Sequence, residues 1–371
     1  MRTRSIPTLL MLLFLASCSS TTHVAPPPAT ARTYHGTASV GDFMTITIDS
    51  TAQTISYNDV SNGDSGTVPY TVNTDDTYTL ADPKGNLVAA YEVPNYVLLI
   101  QAAKTGPNVD TPALITAVES GSISMSTFET HAYNYMQFRT AAGGLEVGSV
   151  AISTQGIGSI SSFWPYGSYN QGNQSGSAFH TGMIDLTQAQ EDASGTFLKV
   201  PEMGGNGFDY IFGTANGIFA VDSGNGAILG LKKAASKNFD STMAGNYKAI
   251  YYQKTGANTG AGNVETGTAS LGNATLAVDS SGKVTISNAK GHTIVQAVLT
   301  PVADATYLYG STGQLQDPCN GVFTFRVTSA SAQQDVFVTF MDKAMLFSAF
   351  TANLPWASVG TYNYLYGVGV K

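Results

Sequence analysis

Residues 62 to 68, Asn-Gly-Asp-Ser-Gly-Thr-Val, contain the Gly-Asp-Ser-Gly order that can surround a serine nucleophile, and His35 stands upstream as its candidate base. In a triad built from two barrels, nucleophile and base come from different barrels, and the acid lies between them in sequence. The interval from His35 to Ser65 is too short for that, and no Gly-x-Ser-x-Gly elbow follows a strand and precedes a helix. The stretch reads as a hairpin turn. Five histidines, His23, His35, His131, His180 and His292, never stand two or four residues from one another or from a cysteine, so no local zinc pattern exists. Asp75-Asp76, Asp82 and Asp222 stand in turns whose oxygens suit Ca²⁺, without the alternating-ligand loop that ends in a bidentate Glu. Turn capping accounts for them, and neither a metal nor another cofactor is expected. Glu129, Glu146, Asp185, Glu191, Asp192 and Glu202 could supply a carboxylate pair for glycoside hydrolysis, which depends on a separation that only the fold can set.

One segment has a different chemistry. Residues 163 to 180, FWPYGSYNQGNQSGSAFH, place Phe163, Trp164, Tyr166 and Tyr169 among Asn170, Gln171, Asn173 and Gln174 without a charge. Flat rings stack on sugar faces and amides both donate and accept, so Trp164, Tyr166, Tyr169, Asn170 and Gln171 form a candidate site for a neutral glycan. The competing reading makes Trp164 and Pro165 a plug for the end of a β-core. Cys319, in LQDPCNGVF, has no second cysteine in the body to pair with and reads as a small buried apolar group.

The elements that must position these residues are strands. In FMTITID, Met44, Ile46 and Ile48 face one way and Thr45, Thr47 and Asp49 the other, the pattern of a half-buried antiparallel strand. Val68, Tyr70 and Val72, then Leu276 and Val278, then Val336, Val338 and Phe340 repeat the alternation. Turn clusters rich in Gly, Asn and Asp separate the runs. Short helices are expected at residues 184–193, with Asp185 as cap, and at 110–118. The C-terminal YNYLYGVGV is expected to be a closing strand.

Internal similarity suggests three copies of one meander, at about 33–108, 132–235 and 245–350. Gly36 to Ser50 resembles Gly267 to Ser281, the segment from Gly66 resembles that from Gly195, and the strand opening at Tyr133 resembles that at Tyr247. The expected fold is all-β, with antiparallel meander units that form barrels or sandwiches and derive from internal repeats. Units are expected at 34–120, 121–240 and 241–371, in a row or with shared sheets.

The first residues concern location. Arg2 and Arg4 precede the apolar run from Leu9 to Leu15, too short to span a bilayer and suited to an export signal. Leu15-Ala16-Ser17-Cys18 then resembles the lipobox of bacterial lipoproteins. That resemblance implies cleavage after residue 17, lipidation of Cys18 and, with Ser19 next, an outer-membrane destination. Several acyl chains suffice for stable attachment without a transmembrane helix. Residues 18–33, rich in Ser, Thr, Ala and Pro, read as a tether. The mature region is similar in texture to uncharacterised β-rich proteobacterial lipoproteins, a resemblance that implies a location and no activity.

Cleavage would move the formal charge from −8 to −10, in a chain with only 11% charged residues. An acidic body without a Lys/Arg cluster argues against nucleic acid as a partner. The expected partners are the membrane, through the lipid on Cys18, and a glycan or an envelope protein. The expected function is binding or structural work in the cell envelope. The alternative is a polysaccharide hydrolase whose carboxylates the fold brings together.

Overall fold

The computed structural model describes residues 31–81, 87–105, 110–139, 145–164, 181–202, 207–215, 217–224, 226–258, 264–302, 319–328, 333–351 and 360–371. The chain is an all-β protein of antiparallel meanders arranged in three units. The first runs through β1 (Arg32–Ala38), β2 (Phe43–Asp49), β3 (Thr54–Asp59), β4 (Asp64–Val72), β5 (Thr77–Ala81), β6 (Leu87–Val93), β7 (Val97–Thr105) and β8 (Asp110–Glu119). Because β1 pairs with both β2 and β8, this meander is a closed barrel.

The second unit contains β9 (Ala132–Arg139), β10 (Leu145–Ile152), β11 (Ile157–Trp164), β12 (Thr181–Asp185), β13 (Gln190–Glu191), β14 (Leu198–Pro201), β15 (Phe208–Thr214), β16 (Ile218–Ser223) and β17 (Gly226–Lys232). The third contains β18 (Gly245–Asn258), β19 (Val264–Val278), β20 (Lys283–Asn288), β21 (Thr293–Val298), β22 (Thr300–Pro301), β23 (Val322–Thr328), β24 (Gln333–Met341), β25 (Ala344–Thr351) and β26 (Gly360–Val370). Here too the first strand pairs with the last, β9 with β17 and β18 with β26.

All three units share one path. In the barrel, β4 pairs with β3 through residues 64–69 and with β5 through residues 70–72. In the later units that crossing strand is cut in two: β12 pairs with β11 and β13 with β14, then β21 with β20 and β22 with β23. The sequence similarities follow this path only in part. Tyr133 and Tyr247 do open equivalent strands, but the segments from Gly66 and Gly195 are offset by one strand. Likewise, Gly36 lies in β1 of a hairpin, whereas Gly267 lies inside the single strand β19. Gly/Thr-rich alternation resembles itself at every strand, so register by composition slips easily.

Three local expectations change. Residues 110–118 are strand β8, whose two faces are both covered, which removes the alternation that distinguishes a strand. Residues 184–193 are the end of β12, a turn and β13, with Asp185 accepting from the Thr187 amide and hydroxyl at 2.9 and 2.6 Å. Arg32 and Thr33, read as tether, begin β1, because Arg32 is drawn into the barrel by Glu92.

Met44, Ile46 and Ile48 fill the barrel together with Tyr34, Tyr70, Tyr78 and Leu80. Leu276, Val278, Val336, Val338 and Phe340 fill the third unit. The largest apolar cluster joins the interior of the second unit to faces of the other two: Phe43, Leu99 and Leu114 from the barrel, and Ile250, Tyr252, Leu346 and Val368 from the third. The units therefore do not stand in a row; each packs on the other two, with their first and last strands prominent in the contact. Buried β9, β18 and β26 carry rings such as Phe138 and Tyr252, whose centroids lie 4.6 Å apart.

The units also share a direction. Their near ends, where β1, β9 and β18 begin, lie together: the Tyr96 hydroxyl donates to the Met341 carbonyl at 3.2 Å, and Asn134 Nδ2 donates to the Asn320 carbonyl at 2.7 Å. Asn134 Oδ1 accepts from Ser149 Oγ at 2.6 Å, so this buried amide is used on both sides.

Phe43 and Ile46 occupy opposite faces of β2, one towards the second unit and one into the barrel. Phe43→Ala should cost about 3 to 5 kcal/mol and Ile46→Ala about 2 to 5 kcal/mol. Hydrogen exchange should separate them: Phe43→Ala opens amides of β14 and β15, whereas Ile46→Ala opens β2 and β3.

Candidate functional site

The residues singled out from the sequence disperse. Ser65 is the exposed second residue of β4, beside a hairpin, while His35 is buried on another strand against other partners, so no Ser-His pair forms. Asp75 caps its turn by accepting from the Thr77 hydroxyl at 2.7 Å. Asp192 accepts from the Ser194 amide and pairs with Lys199 at 2.9 Å, and these hydrogen bonds hold its carboxyl down at about 2. Glu146 accepts from the Tyr135 hydroxyl across its own hairpin. Glu129 ends the short helix α1 (Met125–Phe128), Glu191 is exposed on β13, and Glu202 follows β14. These carboxylates are tied to local turns and hairpins. Among the described residues no group of three or more His, Cys, Asp or Glu is placed to hold a metal ion.

Trp164 ends β11, which bulges at Phe163 opposite the step from Val147 to Gly148 in β10. Tyr166, Tyr169, Asn170 and Gln171 lie outside the described residues, as do Cys18, His23, Asp82, His180 and the other tryptophan, Trp356. Trp164 and Thr181, the ends of β11 and β12, lie opposite the end at which the chain enters β1. Cys319 is fully buried in the large apolar cluster.

Three polar arrangements emerge that the sequence did not announce. Inside the barrel, Glu92 accepts from Arg32 Nε and Nη2 at 2.7 and 2.8 Å, and from the Tyr34 and Tyr78 hydroxyls at 2.6 and 2.5 Å. Burial and the adjacent carboxylate push both phenols well above their usual range. A bidentate pair this enclosed needs its extra hydroxyls, because the desolvation of both ions opposes it.

The second arrangement lies between the barrel and the second unit. His35 and Thr37 project from the outer face of β1. His35 Nε2 lies 2.8 Å from Thr196 Oγ1 and 2.9 Å from Ser120 Oγ, and its ring packs on Phe43 and Phe197. Burial lowers its pKa to about 4, against a smaller upward pull from Asp192. Thr37 Oγ1 donates at 2.5 Å to Asp222, which is 1% exposed. Burial raises the Asp222 carboxyl to about 7; the Thr37 bond lowers it, and Asp42, Asp209 and Asp59 add to the rise. β16, which carries Asp222, reads IFAVDS, an apolar run with no polar alternate, and such a run signals cover on both faces. That signal could have separated Asp222 from the other turn aspartates.

The third is an open cleft of about 340 Å³ between the second and third units, lined by residues 130–132, 232–235 and Asn320.

No family model matches the chain, and no curated protein matches it. Among solved structures it is similar to intact Ap-TbpB with its N and C lobes, at 10% identity over 92% of this chain and 78% of that one, with a TM-score of 0.24. A tryptophan-to-alanine mutant of the vaccine antigen Transferrin Binding Protein B from Haemophilus parasuis Hp5 gives 8% identity over 92% and 77%, with a TM-score of 0.24. A DUF3598-family protein with unknown function from Nostoc punctiforme gives 11% identity over 67% of this chain and all of that one, with a TM-score of 0.22. The chemistry of the candidate sites rests on the chain's own residues.

His35 and Asp222 are both buried neutral, and their pH effects oppose. The folded chain keeps the Asp222 proton up to about pH 7 whereas the unfolded chain loses it near 3.8, so stability falls as pH rises through that window. The unfolded chain protonates His35 near 6.5 and the folded chain only near 4, so stability falls as pH drops through that window. Between pH 4 and 6.5 the two slopes cancel. Relative to wild type, Asp222→Asn should therefore gain about 1.4 kcal/mol of stability per pH unit as pH rises, and His35→Gln should lose about the same. Urea unfolding at three pH values in this window tests both signs, and parallel curves for all three proteins would refute them.

Proposed function

We propose that this protein is an outer-membrane lipoprotein, held through a lipid on Cys18, whose β-body binds a neutral glycan of the cell envelope through Trp164, Tyr166, Tyr169, Asn170 and Gln171. The observation that supports this reading is the polarity of the fold. The chain enters β1 at the near end of the barrel, so the segment from Cys18 to β1, roughly 45 Å at full extension, would leave from that end. β11 delivers Trp164 to the far end. A tethered body of this form would present Trp164, at the end of β11, away from its anchor. The turn-bound positions of Asp185 and Asp192 favour recognition over hydrolysis. Among the described residues no helix is long and apolar enough to cross a membrane, which is compatible with attachment through a lipid.

Two experiments test the two halves of the proposal. Labelling with radioactive palmitate in a Gram-negative host should mark the wild-type chain and leave Cys18→Ala unlabelled and outside the membrane fraction. Separately, the Trp356→Phe chain should be titrated with peptidoglycan fragments, lipopolysaccharide core and neutral polysaccharides while Trp164 emission is followed. A saturable shift with a neutral polysaccharide, weakened about tenfold or more in Tyr166→Ala with Tyr169→Ala, is expected. An emission indifferent to every polymer would overturn the glycan site and leave the anchor untouched.

A further inference from the structure

We propose that the third unit takes up an extended, uncharged segment of a partner polypeptide, apolar at alternate positions, as an added strand in the gap between β21 and β23. The gap involves neither Trp164 nor Cys18.

Its two walls part from a short contact. Thr300 and Pro301 of β22 pair with Thr324 and Phe323 of β23, but among the described residues no strand pairs with the other side of β21, nor with that side of β23 beyond Thr324. Backbone groups on an antiparallel strand turn to alternate sides. The Leu299 amide donates to the Gly282 carbonyl at 2.9 Å, while Val298 stands opposite Lys283. Gln296 and Val298 therefore turn their amides and carbonyls towards the gap. On the other wall the Val322 carbonyl accepts from the Val302 amide at 3.0 Å, so by the same alternation the backbone of Arg326 faces the gap as well.

The side chains around the gap are apolar on both faces. Outside, Ile294 is 59% and Val298 60% exposed, the two most exposed large apolar side chains among the described residues. Beneath them Val295 and Ala297 of β21, Ile286 of β20 and Val327 of β23 pack against the interior and are only half-buried. A strand laid in the gap would cover these four with one set of alternate side chains and set the other beside Ile294 and Val298. A second copy of this chain fits less well, because its β21 would bring β20 with it against β23, whereas a lone segment meets both walls.

The barrel shows the same place guarded. Residues 64–69 of β4 are the counterpart of β21: they pair with β3, and β5 joins only from Tyr70. Pro69 stands opposite Thr54, and the Tyr70 amide donates to the Gln53 carbonyl at 2.9 Å, the geometry of Val298 and Leu299. Where Val298 offers an amide to the gap, Pro69 has none. Ser65 and Thr67 take the places of Ile294 and Gln296, and Asp64 adds an exposed charge. Proline and charge keep edge strands from pairing, and β21 has neither.

The full chain, purified in detergent, would be titrated into a labelled, capped peptide of alternating valine and threonine while its anisotropy is followed. Saturable binding is expected, about tenfold weaker or more when the valines become lysines or a central threonine becomes proline. Val298→Pro, which copies Pro69, should weaken binding about tenfold; Gln296→Lys, at an exposed position, should do the same and leave the melting temperature unchanged. In hydrogen exchange the Gln296 and Val298 amides should be open in the chain alone and protected with the peptide. No saturable binding, or wild-type affinity in both variants, would refute the site. Amides already protected in the chain alone would refute it too, since the gap would then be filled. A dimer in sedimentation that Gln296→Lys dissolves would make a second copy the occupant and overturn the partner segment.

Discussion

An antiparallel meander ends with two unpaired edges, and in each unit of this protein the first strand meets the last. In the barrel that pairing leaves no edge, whereas in the other two units it moves the edges to β12 and β13 and to β21 and β22. It also decides how the units associate. Strands at each seam lie on the sides that face the neighbouring units, so Phe43, Leu114, Met136, Ile250 and Val368 point outward from their own sheets and still find cover. The second unit has no core of its own distinct from that shared cluster. Its stability is therefore bound to its neighbours, whereas the barrel and the third unit also keep interiors that belong to them alone.

Apolar cover is permissive about orientation, and polar groups at the seams restrict it. Asn134 joins Ser149 on its own sheet to the Asn320 carbonyl of the third unit. Thr37 meets Asp222, and His35 meets Thr196. A rotation or a slip by one residue would leave each of these buried groups without its partner, at a cost comparable to a lost core side chain. His35 and Asp222 are tolerated there because each is neutral when packed.

Much of the architecture was legible because period-2 alternation reports a half-covered strand directly: Met44, Ile46 and Ile48, or Val336 and Val338, could face only one way. Legibility failed where cover is two-sided. β8 lost its alternation and resembled a helix, and β16 hid Asp222 among residues that read as a turn. Repeats were legible at the opening strands and slipped elsewhere, since a strand rich in Gly, Thr and Ala resembles its neighbours. Arg32, Glu92, Tyr34 and Tyr78 converge from three strands, and the cleft at Asn320 from two units. No local window contains such sets, and only the closure of the sheets brings them together.

The ion pair at the mouth of the barrel also bears on mechanics. Residue 32 is the first of β1, and β1 hydrogen-bonds to strands on both sides along its length. Tension drawn through the preceding chain would run nearly parallel to β1, so its bonds to β2 and β8 would be sheared together instead of peeled one by one. Arg32, clamped by two nitrogens to a carboxylate on β6, passes the first increment of that force across the barrel to the opposite wall. A force applied through the residues before β1 would thus be gripped where it arrives.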